Sequence, residues 1–421
     1  MLKFLRENPE AVRENIVRKN EKASIDAILE LDEKRRSIIT EVEYLKNQRN
    51  VASQDIARLK KEKADASEQI NSMKIVSDKI KSLDDELRAI EAELDEKILY
   101  IPNMLDESVP TGRNESDNPE IRRWGNPLVQ TVKRDHISIC KELGLIDFDR
   151  GAKVSGSGFL YYTGKGATLE RALINYMINF HTEKHGYKEM YSPFIVSANA
   201  MQGTGQIPKM AEDMYYCEKD ELYLIPTAEV PLTNYHSGDM LVGEELPIKL
   251  CGYSPCFRRE AGSYGKETRG LLRLHQFNKV ELVKFANPKT SYQELELLVT
   301  DVEEVLQSLN LHYRVILLCS ADTSFSSAKT YDLEVWSPAD EKWLEVSSCS
   351  NFIDFQAWRA NIRYKETSQS KPEYVHTLNG SGLATPRMMV AILENYIQED
   401  GTLIVPEPLR KYTGFDKIEK K

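Results

Sequence analysis

A chain of 421 residues with 41% hydrophobic residues is long enough for two or three domains of roughly 150 residues each and for a sizeable core. Its 56 Lys and Arg against 66 Asp and Glu leave a formal charge of −10, which excludes a protein that coats nucleic acid indiscriminately, so any nucleic-acid contact must be local. Cys140, Cys217, Cys251, Cys256, Cys319 and Cys349 lack paired two-residue spacing and predict reduced thiols; no apolar run reaches membrane-spanning length, and Glu7, Glu10 and Glu14 argue against a transit peptide, so a cytoplasmic protein without membrane contact is expected.

From Ile25 to Ile101 there is no glycine or proline, and apolar residues recur at alternating steps of three and four. One series is Ile38, Val42, Leu45, Ala52, Ile56 and Leu59; the other is Met73, Val76, Ile80, Leu83, Leu87, Ile90, Leu94 and Ile98. This is a coiled-coil seam that lapses between Glu62 and Ser67, so it predicts an antiparallel helical hairpin within residues 1–105. Helices of about 36 residues reach roughly 55 Å, so the hairpin is a projecting arm. Lys46, Arg49, Arg58, Lys60, Lys61 and Lys63 crowd the outer half of the first helix against only Asp55 and Glu62. A solvated helix surface explains such a run; so does a face that tracks a phosphate backbone by counterion release.

Pro102, Pro110, Gly112, Pro119, Gly125 and Pro127 mark a linker over residues 106–127, and a second domain fills 128–421. Helix-like stretches at Leu169–His185, Ser291–Leu309 and Pro386–Glu399 are separated by strand-like ones. These are Tyr187–Val196, Leu222–Thr227, Lys249–Arg258, Leu271–Phe285, Leu311–Leu318, Tyr331–Trp336 and Lys342–Ser348. Because they mostly follow one another without intervening helices, an α+β domain is expected, with a mainly antiparallel sheet flanked by helices.

Side chains alternate along a strand, so Arg273, His275, Phe277, Lys279 and Glu281 would share one face of Leu271–Phe285. Leu272, Leu274, Val280 and Leu282, interrupted by Gln276 and Asn278, would share the other. Phe257-Arg258-Arg259-Glu260 ends the preceding strand, and Ala261 to Gly265 reads as a turn that makes the two strands a hairpin. Guanidinium groups suited to phosphate and a ring on which a base could stack would then lie side by side. Asn379-Gly380-Ser381-Gly382 reads as a glycine-rich turn opening onto a helix with Arg387 in its first turn, a second candidate for anion binding. Gly158 with Gly164-Lys165 misses the P-loop spacing, and His181 with His185 lacks the zincin glutamate, so a surface helix accounts for that pair.

Phe257-Arg258-Arg259-Glu260, the strand Arg269 to Glu281 and the segment Gly382 to Arg387 resemble the second and third motifs of class II aminoacyl-tRNA synthetases. Helix Leu169–His185 with the strand ending at Pro193 resembles the first, which implies a homodimer. Thr227-Ala228-Glu229, Arg269 to Phe277, Lys279-Val280-Glu281, Glu345 to Asn351 and His376 to Gly382 are similar to seryl-tRNA synthetases in particular, and with the arm included the resemblance spans essentially the whole chain.

The resemblance implies ATP and L-serine as substrates, Mg2+ as cofactor and serine tRNA as partner, bound by the arm through its long variable arm. It implies that Arg258 bridges the serine carboxylate and the α-phosphate, with Arg259 beside it. Glu260 contacts the adenine amino edge and Phe277 stacks on the base. Leu274, His275 and Gln276 line the nucleotide site, and Arg387 holds the terminal phosphate. Glu345 and Ser348 ligate magnesium, with Val346 and Ser347 beside ATP. Thr227, Ala228 and Glu229 frame the serine amino group, while Glu281 and Ser381 approach it and its hydroxyl. On an ideal strand Glu345 and Ser348 face opposite ways, so sharing a metal requires a bulge or a strand end. Met210, in Gln206-Ile207-Pro208-Lys209-Met210, stands where the family more often has phenylalanine. Two alternatives remain: a ligase that loads a carrier protein, whose relatives lack the hairpin, and a nonenzymatic coiled-coil paralogue, which Arg258, Glu260, Glu281, Glu345 and Arg387 argue against.

Overall fold

Residues 1–127, 133–261 and 269–420 are described by the computed structural model, and they divide into two units, Met1–Pro102 and Asn103–Lys421. Among them no helix is long and apolar enough to cross a membrane, and all six cysteines are free.

In the first unit two short helices, α1 (Leu2–Glu7) and α2 (Pro9–Arg18), precede the hairpin of α3 (Asp26–Lys61) and α4 (Ser67–Ile98). The hairpin helices have 36 and 32 residues. Ile38, Val42, Leu45 and Ile56 are buried on α3, and Ile80, Ile90, Leu94 and Ile98 on α4. Two helices cover only one stripe of each other, so Met73, Val76, Leu83 and Leu87 remain half-buried. Cross-helix ion pairs flank the seam: Lys34 with Glu86 at 2.7 Å, Lys79 with Glu41 at 2.5 Å and Lys46 with Asp84 at 3.6 Å. Of the six basic residues at the outer end, Lys46 and Arg58 have acidic partners, while no ion pair involves Arg49, Lys60, Lys61 or Lys63 among the described residues.

Near the base of the arm Asp32 is fully buried and accepts hydrogen bonds from Arg6 at 2.8 Å, Arg35 at 3.2 Å and Arg36 at 3.2 Å. Burial pushes its carboxyl upward, but Arg6 and Arg35 outweigh that and hold it below the usual carboxylate range. Replacing Asp32 with Asn leaves the guanidinium groups facing a neutral amide and should destabilise the arm by about 2 kcal/mol near neutral pH. Since the depressed group contributes stability above its unfolded pKa and loses it as pH falls through the folded one, the gap between variant and wild type in melts followed by circular dichroism should shrink as pH falls below about 4. A constant gap across that range would contradict the ion-pair assignment.

The second unit is built on eight strands: β1 (Glu120–Trp124), β2 (Lys188–Met190), β3 (Ile248–Phe257), β4 (Gln276–Ala286), β5 (Tyr313–Leu317), β6 (Lys329–Ser337), β7 (Lys342–Asn351) and β8 (His376–Ala384). Their order is β1-β5-β6-β7-β8-β4-β3-β2, antiparallel throughout except for β2 beside β3. Three long helices, α5 (Lys165–Lys184), α8 (Ser291–Ser308) and α10 (Thr385–Tyr396), contribute to the main core. Three short ones lie near the site: α6 (Ala198–Gly203), α7 (Glu229–Asn234) and α9 (Phe355–Ala360). On β4, Val280 and Leu282 belong to the main core, while Val283 and Phe285 on the other face join a second cluster with Ala228, Leu232 and Leu250.

Several expectations are corrected. Residues 106–127 are not merely a linker: Glu120–Trp124 is an edge strand anchored by Arg122, whose guanidinium donates to both oxygens of Glu303 at 2.9 and 2.7 Å. Tyr187–Val196 is not one strand; it breaks around Pro193 into β2 and Ile195–Ser197, which pairs with Leu222–Leu224 in a separate small sheet. β4 begins only at Gln276, so Leu271–His275 escapes the alternation and Arg273 instead pairs with Glu260. Asn379 to Gly382 is no turn but part of the central strand β8, where glycine serves close packing. A β-carbon would stand 3.0 Å from Cys349 Sγ at Gly380 and 3.0 Å from His181 Nε2 at Gly382. That histidine corrects a further expectation: His181 is fully buried rather than on a surface, with Nδ1 3.0 Å from His185 Nδ1. The Ala261–Gly265 turn falls largely outside the described residues, but β3 and β4 are antiparallel neighbours.

Candidate active site

A cavity of about 510 Å³ opens where β4, β7 and β8 meet the start of α10. The alternation of β4 sends Phe277 and Lys279 to its wall and Glu281 toward the same side. Glu281 lies directly opposite Ser381 of β8, which also lines the cavity.

At one end Thr227 Oγ1 donates to Glu281 Oε2 at 2.7 Å and accepts the backbone N–H of Glu229 at 3.1 Å. Lys279 forms an ion pair with that same carboxylate oxygen. The other oxygen, Oε1, is buried with no hydrogen-bond partner among the described residues. Glu229 is 6% exposed, and burial, aided by the nearby charge of Glu281, pushes its carboxyl up to about 7. This end of the cavity therefore gathers two acids, one lysine and a hydroxyl.

Arg258 and Arg387 line the same cavity. The Arg258 guanidinium lies 5.2 Å from the centroid of the Phe277 ring, and its Nε donates to the Pro226 carbonyl at 3.3 Å. Its backbone is clamped by His275, whose carbonyl accepts Arg258 N–H at 2.9 Å and whose Nδ1 lies 3.0 Å from the Arg258 carbonyl. The His275 ring in turn presses on Gly158, where a β-carbon would sit 2.4 Å from it; that glycine serves the scaffold and not a phosphate loop. Glu260 holds a left-handed backbone with φ 52° and pairs with Arg273. From α10, Arg387 reaches the Glu345 carbonyl at 2.7 Å and its carboxylate at 3.2 Å.

Parity along β7 is resolved by a bulge. Leu333 of β6 faces Ser347 and Glu334 faces Glu345, so Val346 is the extra residue, and Glu345 and Ser348 both reach the cavity. Asp332 lies directly across from Ser348 and accepts its hydroxyl; burial and the charge of Glu345 raise its carboxyl well above the ordinary range.

Of the residues singled out from sequence, Thr227, Glu229, Arg258, Glu260, Leu274, Phe277, Glu345, Val346, Ser348, Ser381 and Arg387 line this cavity, and Glu281 lies against it through Thr227. Ala228, Arg259, His275, Gln276 and Ser347 are not in the wall: Ala228 is core, Arg259 and Gln276 are exposed, and Ser347 Oγ donates to the Ser381 carbonyl at 2.6 Å. Lys279, Asp332 and Gln356, which contact site carboxylates or hydroxyls, were not among the site residues read from sequence. Lys279 was visible in the alternation of β4; Asp332 and Gln356 sit in ordinary strand and helix sequence and gave no local signal.

Residues 2–105 match the family of seryl-tRNA synthetase N-terminal domains, and residues 215–396 match the tRNA synthetase class II core domain (G, H, P, S and T). The serine–tRNA ligase of Carboxydothermus hydrogenoformans is 54% identical over 100% of this chain and 99% of its own; that of Chloroherpeton thalassium is 53% identical over 99% of each. The chain belongs to the seryl-tRNA synthetase family. Its fold superposes on the crystal structure of seryl-tRNA synthetase from Pyrococcus horikoshii complexed with ATP with a TM-score of 0.95 at 36% identity, covering 100% of this chain and 99% of that one. The cytoplasmic serine–tRNA ligase of Naegleria fowleri in complex with AMP gives 0.89 at 30% identity, covering 98% and 96%.

Behind the cavity Glu170 of α5 ties the seryl-tRNA synthetase core together: its Oε1 accepts from Asn278 of β4 at 2.9 Å and from Thr385, the first residue of α10. It is 5% exposed, and burial pushes its carboxyl from 4.5 up to about 7. A raised carboxyl contributes its stability in the protonated form, fully below the unfolded pKa, and loses it as pH rises through the folded one. Glu170→Gln keeps an acceptor for both donors without that loss. Its stability relative to wild type should therefore rise between pH about 5 and pH about 8 by on the order of 3 kcal/mol. Parallel calorimetric profiles for the two proteins would refute the buried-acid assignment.

Proposed function

We infer that the chain is a serine–tRNA ligase, which forms seryl-adenylate from L-serine and ATP and transfers the seryl group to the 3′ end of serine tRNA. The observation that carries this reading is that two hydrogen-bonded strands and their flanks bring Arg258 and Phe277 into the wall of one cavity, with Glu281 against it through Thr227.

The carboxylate of serine attacks the α-phosphorus as pyrophosphate departs, so negative charge grows between the two reactants. Arg258 bridges the serine carboxylate and the α-phosphate and offsets that charge without reorganising, because its backbone and Nε are already held. Phe277 stacks on the adenine and Glu260 accepts from its amino edge. Arg387 holds the terminal phosphate. The Glu345 carboxylate and Ser348 hydroxyl are hard oxygen donors brought to one side by the β7 bulge, and they would hold a magnesium ion. Magnesium, when bound, neutralises phosphate charge. Thr227, Glu229, Glu281 and Ser381 take the ammonium and hydroxyl of serine. In the second step the terminal tRNA hydroxyl attacks the adenylate carbonyl, aided mainly by positioning, and AMP leaves.

The protein acts as a cytoplasmic homodimer. The exposed Tyr191 lines a second groove of about 470 Å³ along α5, a surface suited to a second copy. On the arm, Arg49, Lys60, Lys61 and Lys63 supply the cationic stripe for the long variable arm of serine tRNA.

Pyrophosphate exchange should respond to serine and not to glycine or threonine, with alanine rejected by roughly ten-thousandfold because the polar groups of the pocket would be left unpaired. Glu281→Ala should lose far more in kcat/KM for serine than in KM for ATP; equal losses would contradict its assignment to the amino acid. Deleting residues 30–98 should leave exchange near wild-type and abolish charging of total tRNA, and normal charging would defeat the role of the arm.

A further inference from the structure

Gln356, on the short helix α9, is 1% exposed and holds three elements at once. Its Nε2 donates to Glu229 Oε1 at 2.6 Å and to the Thr204 carbonyl at 3.3 Å, while its Oε1 accepts from Thr377 Oγ1 at 2.8 Å. A carbonyl can only accept, so the Thr204 contact fixes which end of the amide faces inward. Gln356 is therefore a donor to Glu229, and Oε1 of Glu229 must be an acceptor. Oε2 of that carboxylate is not engaged by Gln356 and is free of that donor for a proton or an ammonium. Thr204 leads into the segment whose Gln206 and Met210 line the cavity, and Thr377 lies on the strand that carries Ser381.

We propose that Gln356 is a positioning residue of the amino-acid pocket: its locked amide occupies one oxygen of Glu229 and leaves the other for the ammonium of the substrate. This rests on the reading that the cavity takes serine. The charged groups acting on Glu229 are Glu281 and Lys279 of β4 and Arg258 after β3; α6 carries none, and the one charged side chain of α9, Arg359, is stacked on Phe355 at 3.4 Å. Burial and Glu281 push the Glu229 carboxyl up to about 7, and the hydrogen bond from Gln356 acts in the opposite direction. Without that donor the carboxyl rises further, and less of the enzyme offers a carboxylate to the ammonium at neutral pH.

The test is the pH profile of serine-dependent pyrophosphate exchange for Gln356→Met, which keeps volume and removes the donor, and for Thr377→Val, which removes the hydroxyl that holds the amide. For Gln356→Met, kcat/KM for serine should fall about tenfold near pH 7 and return to within about threefold of wild type near pH 8.5, while KM for ATP changes less than about twofold. Thr377→Val should show the same displacement of the acid limb with smaller amplitude. A loss that is uniform across pH, or shared equally by ATP, in both variants overturns the proposal. If Glu281→Ala impairs serine but neither variant does, this inference alone falls; if wild-type exchange does not respond to serine, the assignment of the cavity falls with it.

Discussion

Everything at the site depends on one constraint, that a carboxylate must be kept buried beneath a polar cavity. Glu281 is 1% exposed, and an isolated charge there would be costly. Lys279, two residues away on the same face of β4, and the Thr227 hydroxyl both address Oε2. That leaves Oε1 buried with no hydrogen-bond partner among the described residues, the acceptor proposed for the substrate. The period of two along β4 makes this possible: the odd residues carry the chemistry, and the even ones anchor the strand through Val280 and Leu282 in the main core. Where the even face turns polar, Asn278 is satisfied by Glu170, so the strand has no slack at the level of the site.

Two irregularities complete what regular pairing cannot. The bulge at Val346 turns Glu345 and Ser348 to one side, and a second, at Gly382 on β8, restores Ser381 to the position opposite Glu281. Both lie beside the cavity, where re-aiming one side chain matters more than one ladder hydrogen bond. Gly380 and Gly382 allow β8 to sit close to Cys349, Leu298 and His181, so the glycines keep the central strand near its neighbours.

Much of this was legible in residue pattern. The arm appeared in its apolar spacing and its lack of glycine and proline. The β3–β4 pair appeared in the alternation of Phe277, Lys279 and Glu281. What stayed hidden was set by tertiary context. Asn379 to Gly382 has the composition of a turn, and only the packing of Cys349 and His181 around it makes a strand the better solution. His181 looks like a surface residue until Gly382 places its carbonyl 3.3 Å from Nε2. Asp332 and Gln356 act through neighbours remote in sequence, Ser348 and Glu229, so no local spacing could reveal them.

The electrostatics of the two units follow one logic at different depths. On the arm, exposed lysines and arginines are left partly unpaired in a chain of net charge −10, so attraction for a polyanion is confined to one stripe and weakens as salt rises. In the catalytic unit the same separation of charge occurs out of water. Arg258 and Arg387, which line the cavity, are the cations proposed for the phosphates, while Glu229 and Glu281 are the acids proposed for the ammonium. Burial first, and the charge of Glu281 second, raise the carboxyl of Glu229 to about 7, and that is the cost of a pocket that prefers a cation. Selectivity for the ammonium and sensitivity to acid therefore share an origin in the burial of that carboxyl, and the neutral donor Gln356 pulls it down without adding a cation that would repel the substrate.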